Sequence, residues 1–69
     1  MAMNLRINGE NVHIPETITT VTMLVEHFKL KSPFVIVEHN HQIIERDLHA
    51  ATRIADGDVI ELVQFVGGG

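Results

Sequence analysis

Cysteine is absent from the 69 residues, which excludes disulfide staples, thiolate metal sites and an internal sulfur nucleophile. Tryptophan and tyrosine are missing too, and three phenylalanines are the only aromatic residues, so any core must be largely aliphatic. Cations are few: Arg6, Lys29, Lys31, Arg46 and Arg53 are scattered along the chain against nine Asp and Glu, for a net charge of −4. Binding to phosphate backbones needs clustered Lys and Arg, so nucleic acid is a poor partner. An acidic body favours a partner with a basic docking face. The longest apolar run, Phe34 to Val37, is far shorter than the roughly 20 residues of a membrane helix, and no membrane partner is expected. The first residues lack the basic-then-apolar pattern of a signal peptide. A cytoplasmic soluble domain is expected, small enough to bury only about 60% of its unfolded surface.

What is present is 45% apolar, mostly Val, Ile and Leu, and its spacing is regular. Asn4 to Asn8 alternates, with Leu5 and Ile7 on one face of a half-buried strand. Asn8-Gly9 is a strong hairpin signal, because both residues tolerate positive φ. Val12-His13-Ile14 forms the returning strand, stopped by Pro15, which has no N–H for a ladder. Thr19 or Thr20 caps a helix, on which Val21, Leu24, Val25 and Phe28 form one apolar stripe. Lys29 and Lys31 suit its carboxyl end, and Ser32-Pro33 ends the segment after about three turns. Phe34-Val35-Ile36-Val37, apolar on both sides, marks a central strand. Asn40-His41 is a turn and Gln42-Ile43-Ile44 a short strand. Glu45 to Arg53 has no clear period, with Leu48 and Ile54 expected to plug the core. Asp56-Gly57-Asp58 is a turn, and Val59 to Phe65 the last strand.

A hairpin followed by a crossover helix returns the chain to a parallel, right-handed placement, which lets the last strand pair centrally with the first. The predicted fold is α+β: a β-grasp, with a mixed sheet wrapped on one main helix. Its domain covers residues 1–66, followed by a flexible glycine tail at 67–69. Glycines at the end of a strand pack no side chain and lose the most backbone entropy on ordering. On the glycines alone, Gly67, Gly68 and Gly69 fit an ordinary frayed end as well as a thin tail that threads a narrow channel.

The ββαββ order with this hairpin, the run Asp56-Gly57-Asp58-Val59-Ile60-Glu61-Leu62 and the terminal Gly68-Gly69 resemble the ubiquitin-like sulfur carriers. Within that group the chain is most similar to the carriers of thiamine biosynthesis, the ThiS family. Val35-Ile36-Val37-Glu38-His39-Asn40, followed by Ile43-Ile44-Glu45-Arg46, is similar to that family's middle strand and the turn after it. The similarity runs from Met3 to Gly69, and the third glycine, Gly67, departs from the pattern without removing the terminal pair.

The resemblance implies that Gly69 is adenylated and converted to a thiocarboxylate. A carboxylate is a poor acyl donor because its leaving group would be oxide. Joining it to AMP supplies a phosphate-ester leaving group that a sulfur nucleophile can displace. The chain has no Gly-x-x-x-x-Gly-Lys phosphate loop and no cysteine relay. It is therefore expected to be substrate and carrier rather than enzyme, binding no cofactor itself. The implied partners are a ubiquitin-activating-type adenylyltransferase that uses ATP, a thiazole synthase as acceptor, and a sulfur donor such as a cysteine desulfurase system. Rival expectations are the small subunit of molybdopterin synthase, a ubiquitin-like protein modifier, and an interaction module whose glycines are incidental.

Partners are expected to dock on the sheet face opposite the helix. With Ile60 and Leu62 inward, Glu61, Val63 and Phe65 point outward as an apolar anchor with an acidic neighbour. The opposite parity would place Val63 and Phe65 in the core. The five histidines are expected to be solvated surface residues. His39-Asn40-His41 has no third ligand at metal-site spacing, and Asp56 and Asp58 are expected as turn formers.

Overall fold

Type I′ hairpin geometry begins the fold. In the computed structural model, which describes residues 2–30 and 35–64, strands β1 (Ala2–Ile7) and β2 (Glu10–Pro15) are joined by Asn8 at φ 51° and Gly9 at φ 83°. Two successive positive φ values twist the connection to match the strands. Leu5, Ile7 and Ile14 turn inward while Asn4, Arg6 and His13 remain exposed, as the period of two requires.

Helix α1 (Val21–His27) is capped by Thr20, whose hydroxyl accepts a hydrogen bond from the Met23 N–H at 3.2 Å. It buries Val21, Leu24 and Val25. At 7 residues it is about two turns long rather than the expected three. Its end is a Schellman motif: Lys29 takes φ 58°, the Lys29 N–H donates to the Glu26 carbonyl and the Leu30 N–H to the Val25 carbonyl. That left-handed step ends the apolar stripe, so Phe28 is 36% exposed and borders a groove between the helix end and the first hairpin. Lys31, Ser32, Pro33 and Phe34, on which the expected segment end rested, lie outside the described residues.

Strands β3 (Val35–His39) and β4 (Gln42–Ile44) form a second hairpin through Asn40 at φ 49° and His41 at φ 71°. The last strand, β5 (Val59–Gln64), lies in the middle of the sheet order β2-β1-β5-β3-β4. It runs parallel to β1 and antiparallel to β3. This is the β-grasp arrangement, with α1 on one face of a mixed sheet. Leu5, Ile14, Val21, Leu24, Val37 and Ile60 are fully buried between them.

Two expectations need correction here. Residues Arg46–Leu48 form a 3₁₀ turn that leaves Leu48 52% exposed and buries His49. The inward position of this turn belongs to His49, whose ring Nε2 donates to the Ile44 carbonyl at 3.1 Å and so satisfies its polar atom in the interior. Ile54 is buried as expected. The histidines are also not uniformly surface residues. His13, His27 and His41 are exposed, but His49 is buried and His39 is half-buried against Asp58.

Candidate functional site: the outer sheet face and the end of β5

Residues 65–69 follow β5 in the sequence, so the ties on that strand set where they start. At its beginning the turn at Asp56-Gly57-Asp58 is tied down by side chains. Gly57 adopts φ 89°, a conformation that glycine takes without strain. Asp56 Oδ1 accepts from the Asn4 N–H at 2.7 Å. Asp58 Oδ2 accepts from the Ala55 N–H at 2.8 Å and lies 2.7 Å from His39 Nε2, while its Oδ1 accepts from Asn40 Nδ2 at 3.1 Å. The side-chain Oδ1 of Asn40 accepts from the Val59 N–H at 2.9 Å. Partial burial works against the Asp58 carboxylate. The hydrogen bonds from His39, Ala55 and Asn40, with the charge of His39 when protonated, outweigh that and hold its carboxyl below the ordinary value of 3.8.

Towards its far end, β5 is tied by Asn8. The backbone N–H of Asn8 donates to the Ile60 carbonyl. Its side-chain amide then continues the ladder: Oδ1 accepts from the Leu62 N–H at 2.8 Å and Nδ2 donates to the Leu62 carbonyl at 3.1 Å. One side chain thus replaces the next peptide of β1, which has already turned away into the hairpin.

Ile60 and Leu62 point inward, while Glu61 and Val63 point outward, Val63 at 50% exposure. The parity places Glu61 and Val63 on the face away from the helix. Phe65, Gly67, Gly68 and Gly69, the other residues singled out from the sequence, lie outside the described residues. The register brings further residues to the same face. Ile36 lies opposite Val63, and Glu38 lies opposite Glu61 on one side and Ile43 on the other. Ile36 is 40% and Ile43 68% exposed, so a strand that is apolar on both sides is covered on only one. Neither Ile36, Ile43 nor Glu38 was singled out from the sequence, because only the pairing register shows that they adjoin β5.

Among the described residues no group of three His, Cys, Asp or Glu side chains could hold a metal ion, and no helix is long and apolar enough to cross a membrane.

Comparison with known proteins covers the whole domain. The family model described as "ThiS family" matches residues 3–69. The chain is 38% identical over 65 residues to the sulfur carrier protein ThiS of Bacillus subtilis, covering 94% of this chain and 98% of that protein. It is 37% identical over 67 residues to a thiazole synthase of Paramagnetospirillum magneticum, covering 97% of this chain but only 20% of that protein. The crystal structure of the thiamine biosynthesis protein ThiS from Geobacter metallireducens superposes with a TM-score of 0.80 at 36% identity, covering 97% of this chain and 100% of that one. With the sheet order, the placement of α1 and this similarity in agreement, the chain belongs to the ThiS family.

Proposed function

We propose that the chain carries sulfur for assembly of the thiazole ring in thiamine biosynthesis, held as a thiocarboxylate on Gly69. The observation that carries this reading is the similarity to ThiS proteins over residues 3–69, a span that includes the terminal Gly68-Gly69. On this reading the protein is a carrier acted on by enzymes rather than a catalyst.

The steps follow from the acyl chemistry. An adenylating enzyme of the ubiquitin-activating type transfers AMP from ATP to the Gly69 carboxylate and releases pyrophosphate. The persulfide of a donor such as a cysteine desulfurase system then attacks the carbonyl carbon, and AMP leaves with one carboxyl oxygen. A second thiol reduces the acyl disulfide so formed, itself ending in a disulfide with the donor thiol. The resulting –C(O)S⁻ group is a nucleophile that a thiazole synthase accepts. Support for that acceptor comes from relatives named thiazole synthase in which a segment similar to this whole chain makes up about a fifth of the protein.

The chain's own contribution is geometric. β5 is held at Val59 by Asn40 and at Leu62 by Asn8, so its last described residue, Gln64, is a fixed base. From Gln64 to Gly69, five extended residues reach at most about 18 Å. The partner's reacting centre must therefore lie within that distance of Gln64. Glycines without Cβ atoms suit a channel too narrow for other side chains.

Complementation tests this reading. The chain should restore growth without added thiazole to a bacterial strain lacking its own carrier, and a version without Gly68 and Gly69 should not. Equal rescue by the truncated chain would refute the carrier role. Rescue only of molybdopterin-dependent growth would assign the same chemistry to another pathway.

A further inference from the structure

We infer that Asn8 is a positioning residue for acyl activation at Gly69, its side-chain amide fixing the end of β5 and so the point from which residues 65–69 reach the partner's reacting centre; this rests on the sulfur-carrier reading above.

On one side β5 outruns its neighbour. Arg6 lies opposite Val59 and Ile7 opposite Ile60, so residue 8 falls opposite Glu61. There the chain turns away, with Asn8 at φ 51° and Gly9 at φ 83°. In a parallel ladder a residue opposite position 61 gives its N–H to carbonyl 60 and takes N–H 62 on its own carbonyl. Asn8 makes the first of these bonds with its backbone, at 3.0 Å. Its side chain makes the second, Oδ1 accepting from the Leu62 N–H at 2.8 Å. The next ladder bond would run from the N–H of residue 10 to the Leu62 carbonyl, but Glu10 is paired with Ile7 in the hairpin. Asn8 Nδ2 donates there instead, at 3.1 Å.

Turn chemistry does not require this clamp. Positive φ at the first position of the turn is met by Asn, Asp or Gly. Of these three, only asparagine offers both a donor and an acceptor, which is what the two ladder groups of Leu62 need. Among the described residues no hydrogen bond beyond Leu62 reaches β5 from this side. Leu62 and Gln64 instead border the groove that runs to Phe28 and Leu30. On the other side β3 accompanies β5 to its end, with Val35 opposite Gln64.

Without the clamp, residues 62–64 are held from β3 alone. Every residue left to be ordered as the carboxylate enters the enzyme adds conformational entropy to the barrier. Attack of the Gly69 carboxylate on the α-phosphate of ATP needs the two aligned, so a displaced base lowers the share of bound carrier in reactive geometry.

The carrier is the substrate of this step, which separates positioning from folding. An unfolded fraction lowers the concentration of usable carrier, raising the half-saturating concentration and leaving the saturated rate unchanged. A misplaced tail lowers the saturated rate itself.

The test uses the full chain, ATP and its purified adenylating enzyme, following the burst of pyrophosphate release with carrier varied in excess over enzyme. Asn8→Gly keeps the positive φ of the turn and removes the clamp. Its saturated burst rate should fall about tenfold, with the half-saturating concentration changed by no more than about threefold. Asn8→Asp keeps an acceptor for the Leu62 N–H and should fall between Asn8→Gly and the unsubstituted chain. A saturated rate for Asn8→Gly equal to that of the unsubstituted chain, whatever its melting temperature, would overturn the inference and leave Asn8 a support of the fold alone. Absence of adenylation of the unsubstituted chain, with an enzyme shown to be active on another carrier, would overturn the carrier reading and this inference with it.

Discussion

The two faces of the sheet carry similar aliphatic residues and do opposite work. On β3, Val37 is fully buried while its neighbour Ile36 is 40% exposed; on β5, Ile60 is fully buried and Val63 is half exposed. Hydrophobicity does not separate them. What separates them is the helix, which lies over one face only, and the strand period of two, which sends alternate residues to it. The inner face holds the domain together, while Ile36, Ile43 and Val63 on the outer face stay exposed.

Substitutions that treat the two faces alike should therefore have unlike consequences. Ile60→Ala, at the centre of the buried face, should cost about 2–5 kcal/mol of stability through lost burial and a residual cavity, measured by urea unfolding. A loss as small as that of an outer-face residue would break the comparison. Asn8→Ala leaves both ladder groups of Leu62 without their side-chain partners and should cost about 1–3 kcal/mol. Hydrogen exchange of the Leu62 amide should then rise more than that of Val37.

Acid should act through Asp58 rather than through either face. Its carboxyl is held below the ordinary value, so the folded state binds this proton less readily than the unfolded state does. The stability it contributes is fully present above the ordinary value of 3.8 and is lost as pH falls through the lowered folded value. Asp58→Asn should flatten the pH dependence of unfolding in that window, and an unchanged acid limb would contradict the assignment. The smallest effect belongs to Val63→Ala, which should alter stability by about 0.5 kcal/mol or less while weakening association with the adenylating partner. A large fall in melting temperature would move Val63 into the core's account.

Much of this fold is legible in the residues because local rules agree with one another. Asn8-Gly9, the Thr20 cap, the Val21-Leu24-Val25 stripe and the alternation along β5 each specify an element without reference to distant parts of the chain. Local rules fall short where a tertiary partner decides. Nothing local distinguishes Leu48 from His49 as the inward residue of the 3₁₀ turn; the Ile44 carbonyl does. Phe28 continues the helical period, yet the Schellman turn at Lys29 ends the helix beneath it. A lysine at positive φ gives no warning of that turn, whereas a glycine would have.

The candidate site divides in the same way. Glu61 and Val63 point outward in one of the two parities the sequence leaves open, and the burial of Ile60 and Leu62 selects it; Ile36, Glu38 and Ile43 join them only through the register between β3, β4 and β5. Asn8 is visible in the sequence as a turn residue but not as a tie on Leu62, which lies 54 positions away.

The most direct test of the central claim is the intact mass of the chain after incubation with ATP, a sulfur source and its adenylating enzyme. Conversion of the Gly69 carboxylate to a thiocarboxylate predicts a gain of about 16 Da, oxygen replaced by sulfur, located by fragmentation to the last residue. An unchanged mass with an enzyme shown to be active on another carrier would contradict the account.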